Sequence, residues 1–109
     1  MNKKEIKAEY KLQRPDMGVY TCTFPDGKVY AGWAENLKGM VNGTKMRLEA
    51  GLHVNKQMQE DFKRAGQVEI AVAELLEYDK DESKTDYTGD LRVLLEMWLE
   101  RNPGSVRVK

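Results

Sequence analysis

At 109 residues the chain is one domain's worth of sequence, long enough to bury roughly two thirds of its unfolded surface and too short for two independent cores. Lys plus Arg number 18 and Asp plus Glu number 18, which excludes a global field that would drive the molecule onto nucleic acid or a membrane. A lone cysteine, Cys22, excludes an intramolecular disulfide and fits a reducing compartment. No apolar run approaches the roughly eighteen residues of a membrane span, and the charged start lacks the apolar core of a secretory signal, so an intracellular, cytoplasmic protein without a membrane partner is expected.

The charge that cancels globally is segregated along the chain. Residues 1–14 carry Lys3, Lys4, Lys7, Lys11 and Arg14 against Glu5 and Glu9, whereas 74–90 is dominated by acids. Residues 1–16 read as a polar N-terminal extension that ends at the helix-breaking Arg14-Pro15-Asp16, and 17–109 as a single domain. β-branched and aromatic residues from Met17 to Phe24 predict a strand. Phe24-Pro25-Asp26-Gly27 supplies a turn, because Pro presets the second position and Gly accepts the positive φ that closes it. Lys28 to Trp33 then makes the second strand of an antiparallel hairpin.

Asn36 is placed to cap a helix from about Leu37, weakened by Gly39 and Gly43, with Met40, Met46 and Leu48 as its apolar contacts and Gly51 as its stop. A second helix, about Val54 to Ala65, sets Val54, Met58, Phe62 and Ala65 on one face and ends at Gly66. Val68, Ile70 and Val72 alternate with polar or small residues and predict a third strand with one buried face. After an acidic, solvated loop from Glu77 to Asp86, Thr88 or Asp90 caps a last helix. Leu91, Leu94, Leu95, Trp98 and Leu99 recur there at three- and four-residue spacing up to Asn102-Pro103-Gly104. The order ββααβα predicts an α+β fold, a small three-stranded antiparallel sheet flanked by helices.

Five segments carry a more specific pattern. Gly18-Val19-Tyr20 and Lys28-Val29-Tyr30-Ala31-Gly32 sit on the two hairpin strands, and Trp33 to Lys38 opens the first helix. Gly51-Leu52-His53-Val54-Asn55 precedes Met58-Gln59, and Asp90-Leu91 is followed by Glu96. In this order and spacing they resemble the GIY-YIG endonuclease domain, most closely the catalytic modules of phage-type homing endonucleases, from about Gly18 to Pro103. The resemblance implies metal-dependent hydrolysis of DNA phosphodiester bonds with Mg2+ or Mn2+. Glu96 would then be the metal ligand, Tyr30 the general base or its relay, Tyr20 a shaping residue of the site and His53 an assistant in proton transfer. Such parts suit the chemistry: a bound dication polarises a phosphoryl oxygen while a base activates water and a cation offsets developing charge.

Three features depart from the family pattern. Its catalytic Arg falls on Met40, which has neither charge nor a hydrogen to donate, where a cation is worth a factor of about a thousand or more in phosphoryl transfer. Trp33 stands where the family carries a small polar residue, and Trp98 lies two residues after Glu96 where the family places its aromatic three after the acid. Lys38, Arg47, Asn55 and Trp33 are the candidate substrate-binding residues, Arg47 by returning to Met40's helix face and Trp33 by stacking on a base. Two functions follow. One is a nuclease with DNA as its partner. The other is a catalytically inactive module on a nuclease scaffold that binds DNA, a nucleotide-like ligand or a protein, as a phage accessory or inhibitor would. No stretch is long enough for a separate DNA-targeting region, so a protein partner or a homo-oligomer would supply one.

Overall fold

The computed structural model describes residues 14–108, so the basic cluster from Lys3 to Lys11 lies outside the described residues. The hairpin forms as its turn chemistry dictates. Strands β1 (Met17–Thr23) and β2 (Val29–Ala34) pair antiparallel with Tyr20 opposite Gly32 and Cys22 opposite Tyr30. Gly27 sits at φ 90° and donates its N–H to Phe24 O at 2.9 Å, while Asp26 Oδ1 accepts from Lys28 N at 3.0 Å. The side chains of Tyr20, Cys22 and Tyr30 leave one face of the sheet and those of Val19 and Ala31 the other, as the period of two requires.

Helices then cover both faces. Helix α1 (Leu37–Ala50) starts where Asn36 Oδ1 accepts from Gly39 N at 3.0 Å and ends at Gly51, whose φ of 76° lets its N–H reach back to Arg47 and Leu48 carbonyls. Helix α2 (Lys56–Ala65) is capped by Asn55, whose Oδ1 accepts from Met58 N, and closes at Gly66. These two helices pack Leu37, Leu48 and Met58 onto Tyr20, Cys22, Phe24 and Tyr30. Full burial of each such aliphatic side chain is worth about 1.5–3 kcal/mol. Helix α3 (Thr88–Arg101) lies on the opposite face, where Leu95 meets Val19 and Ala31, and Leu91 meets Met17 and Tyr87.

The sheet itself departs from the three antiparallel strands expected. It is mixed and four-stranded in the order β3-β1-β2-β4, with β3 (Glu69–Leu76) antiparallel to β1 and β4 (Val106–Arg107) parallel to β2. The fourth strand arises because Gly104, at φ 97°, turns the chain back after α3, and Val108 N then donates to Ala31 O at 2.8 Å. Strand β3 is an edge strand, so it buries less than its alternation suggests: Val72 and Leu75 are exposed, and its register shifts opposite Val19/Tyr20. At that irregularity the backbones close in, and a Cβ on Gly18 would stand 2.0 Å from Glu74 O.

Several helix contacts also differ. Met46 and Val54 are 69% and 82% exposed, Val54 lies before α2 begins, and the two helices bury the polar Thr44 and Asp61. Neither Thr88 nor Asp90 caps α3. Asp86 Oδ1 instead accepts from Thr88 N, and Asp90 pairs with Lys84 at 2.7 Å. The acidic loop is anchored by two tyrosines, with Tyr78 donating to Pro15 O and packing edge-on against the buried Tyr87.

Candidate functional site

Strand β2 runs on past β4 at Gly32–Ala34, and a cavity of about 570 Å³ opens along that edge between the two helical layers. Its floor is Tyr20, Gly32 and Trp33. Gly32 must be bare, since a Cβ there would stand 2.8 Å from the Tyr20 hydroxyl oxygen. Helix α1 contributes Met40, Thr44 and Arg47, which at spacings of four and three share one helix face. The α1–α2 connection adds His53, Val54 and Asn55, α3 adds Leu95, and β4 adds Arg107 and Val108.

The cavity's lining offers donors in the Tyr20 and Thr44 hydroxyls, Arg47 and Arg107, and its acceptors on His53, Asn55 and Val108 are engaged within the protein. Burial pushes the Tyr20 phenol up to about 12, against a smaller pull from the Arg47 charge, so the hydroxyl keeps its proton at neutral pH. His53 Nδ1 accepts from Asn55 N at 3.0 Å, which puts the ring proton of the neutral tautomer on Nε2. Burial first, and Arg47 second, hold this imidazole below its ordinary range. His53 N donates to Gln59 Oε1, and Gln59 Nε2 to Leu48 O, so the Gly51–Gln59 element is a braced loop. Asn55 is spent on structure: its Oδ1 caps α2 and its Nδ2 donates to Val108 O, tying the loop to β4.

Three of the residues expected at the site stand elsewhere. Tyr30 does not line the cavity. Its hydroxyl donates to the buried Asp61 Oδ2, which also pairs with Lys28 at 3.2 Å, while Asp61 Oδ1 takes Arg64 at 2.6 Å. Burial alone would raise the Asp61 carboxyl, but the bonds from Tyr30 and Lys28 outweigh it and hold the group below its ordinary value. Burial, then the Asp61 bond, raises the Tyr30 phenol. Lys38 is exposed and outside the lining. Glu96 is exposed and also outside it, with Oε1 on Arg107 Nη2 at 2.9 Å. The neighbouring Leu95, one helix position away and three before Trp98, is the α3 residue that enters the cavity.

Tyr20, His53, Trp33, Arg47 and Asn55 are therefore gathered around one cavity together with Met40, and Tyr30, Glu96 and Lys38 are not. Thr44, Leu95 and Arg107 are site residues that the sequence patterns did not single out. Leu95 had a signal in its three-residue distance from Trp98, and Thr44 in its position one turn after Met40. Arg107 had none, because its place depends on a two-residue strand. A divalent ion does not fit this lining. Mg2+ and Mn2+ want hard oxygen ligands with carboxylate charge, whereas the walls carry no carboxylate and two guanidiniums. No group of three His, Cys, Asp or Glu among the described residues could hold a metal.

This arrangement of a Tyr-bearing hairpin between two helical layers is the fold of the GIY-YIG homing endonuclease catalytic module. A solved structure of the catalytic domain of homing endonuclease I-TevI superposes with a TM-score of 0.65 at 20% identity, covering 85% of this chain and 98% of that one. A variant of the catalytic domain of intron endonuclease I-TevI gives 0.61 at 23% identity, over 79% and 82%. No family model and no curated protein matches the sequence.

Proposed function

We propose that this chain is a binding module on a nuclease-like scaffold, taking nucleic-acid phosphate into the cavity without hydrolysing it. One observation carries the reading: Met40 and Leu95 line the cavity and no carboxylate does. Hydrolysis also needs a base, and the two candidates here hold their protons, Tyr20 through burial and His53 on Nε2. What survives is binding chemistry, with Arg47 and Arg107 for phosphate and Trp33 for a base. DNA is the partner this reading favours.

The reading predicts no nicking of supercoiled plasmid in Mg2+ or Mn2+. Labelled DNA should bind with an affinity that falls as salt rises, and less steeply after Arg47→Met. Introducing the missing groups together, Met40→Arg with Leu95→Glu, is expected to bring nicking within detection. A second reading, a working endonuclease, is favoured by Glu96, whose carboxylate is held by a cavity residue, Arg107, that a substrate phosphate could recruit. Metal-dependent nicking by the native protein that disappears in Glu96→Ala would establish that reading and overturn ours.

A further inference from the structure

The Thr44 hydroxyl is the one buried side-chain polar atom with no hydrogen-bond partner among the described residues. Its residue is 1% exposed and forms part of the cavity wall between Met40 and Arg47. Leaving such a group unmade is costly, and a valine would fill the same space without the cost. A hydroxyl kept in this state on a cavity wall points to a partner that arrives from the cavity.

The remaining walls say what kind of partner. Arg47 Nε donates to Gly43 O at 3.0 Å, its charge reaches both Tyr20 and His53, and no carboxylate pairs with it among the described residues. Among the described residues Arg107 is held by the exposed Glu96 alone. Two cationic forks without a lining carboxylate suit a dianion better than a monoanion. A terminal phosphate monoester carries about −1.5 to −2 at neutral pH, whereas an internal phosphodiester carries a single negative charge. Trp33, Met40 and Leu95 form an apolar wall that suits the face of a base, and about 570 Å³ falls within the range of roughly 300–1,000 Å³ for small-ligand sites. The Asn55 bond to Val108 O ties the α1–α2 connection to the residue that follows β4, and both ends of this tie line the cavity.

We infer that the cavity takes a terminal nucleotide: a nucleoside monophosphate unit with its base against Trp33 and Met40, its phosphate accepting from Arg47 and Arg107, and the Thr44 hydroxyl bonded to the ligand. This inference rests on the non-hydrolytic reading above and narrows it from nucleic-acid phosphate in general to a phosphorylated end. The same unit occurs as a free nucleotide and as the 5′ end of a strand.

Calorimetric titration of the full chain tests it, with adenosine 5′-monophosphate, adenosine, and a short DNA strand with and without a 5′ phosphate. The phosphate should improve affinity about tenfold or more in at least one of the two pairs. A gain confined to the free nucleotide assigns the ligand as a metabolite, and a gain in the strand pair assigns a strand end. Arg47→Met and Arg107→Met should each lose about tenfold. Thr44→Val should weaken binding about threefold or more while raising the melting temperature by roughly 4 °C, a pairing that a merely structural hydroxyl would not produce. Equal binding with and without the phosphate in both pairs, or native affinity in Thr44→Val, overturns the inference. If duplex DNA is still bound uncut in that case, the non-hydrolytic reading survives; metal-dependent nicking, measured separately, removes the reading itself.

Discussion

Tyr20 and Tyr30 leave the same face of the same hairpin, one opposite Gly32 and the other opposite Cys22, yet they end in opposite surroundings. Around Tyr30 each polar group has a partner. Its hydroxyl, Lys28, Arg64 and Gln57 all converge on Asp61, whose side chain is 2% exposed. Around Tyr20 the polar groups are short of partners among the described residues: Thr44 has none, Arg47 meets only a carbonyl, and the bare Gly32 leaves the phenol facing a cavity. The Tyr30 end is built to hold the sheet against α2, and the Tyr20 end to be completed by something else. A buried polar network rigidifies a core when all its members are satisfied, and a member left unsatisfied costs stability until a partner is supplied.

The largest effect should come from breaking the satisfied end. Asp61→Ala leaves the Tyr30 hydroxyl without an acceptor in the core and removes the anion that two cations share. Removing one partner of a buried pair costs about 3–5 kcal/mol, and because Lys28 and Arg64 reach solvent the lower part of that range is expected. Asp61→Asn keeps an acceptor and should cost clearly less. Urea unfolding measures both, and DNA or nucleotide affinity should not move. A loss of binding as large as the loss of stability would mean that the two ends are not separable.

The two tyrosines offer a finer comparison. Tyr30→Phe deletes a hydrogen bond to a buried carboxylate and should destabilise the fold by about 1.5–3 kcal/mol. Tyr20→Phe removes a hydroxyl that has no hydrogen-bond partner among the described residues and should fall within about 0.5 kcal/mol of the native protein. Equal costs in the two variants would refute the division drawn here.

This division explains how much the sequence could disclose. The hairpin, the Asn36 cap and the stops at Gly51 and Gly66 were legible because turn and cap chemistry is local. Tyr20 and His53 could be named as candidates from the motifs they stand in, and Arg47 from the helix spacing that returns it to the face of Met40; the fold sets all three around one cavity. Asp61 was not, since a charged residue between Met58 and Phe62 on an amphipathic helix reads as solvated until Tyr30, Lys28 and Arg64 are seen around it. The choice between Glu96 and Leu95 turns on one residue, about 100° of helix rotation, and only packing against Val19 and Ala31 decides which side chain faces in. Strand β4 depends on a pairing with β2 from the far end of the chain, and two exposed residues carry no periodicity to reveal it.

The smallest effect is in pH, and it separates the two ends by where each gives way. His53 is held below its ordinary value of about 6.5 by burial and then by Arg47, so near that pH the unfolded chain binds the proton more readily than the folded one. Its contribution to stability is therefore present at neutral pH and falls as pH drops through about 6.5, with a slope of at most about 1.4 kcal/mol per pH unit. Asp61 is also held low, so its contribution is present above the ordinary carboxylate value of about 3.9 and is lost only as pH falls through the still lower folded value. Asp81 and Asp86 are held low too, by bonds from Ser83 and Thr88, so the acid step is shared and Asp61→Asn is needed to isolate its part. Urea unfolding between about pH 7.5 and about pH 5.5 should then show a shallow decline that His53→Gln flattens, with the Asp61 step still to come. A bound phosphate beside His53 would favour the imidazolium and shrink the decline, so repeating the series with saturating adenosine 5′-monophosphate asks whether the ligand sits at the Tyr20 end. A decline unchanged by His53→Gln would place its origin outside the cavity.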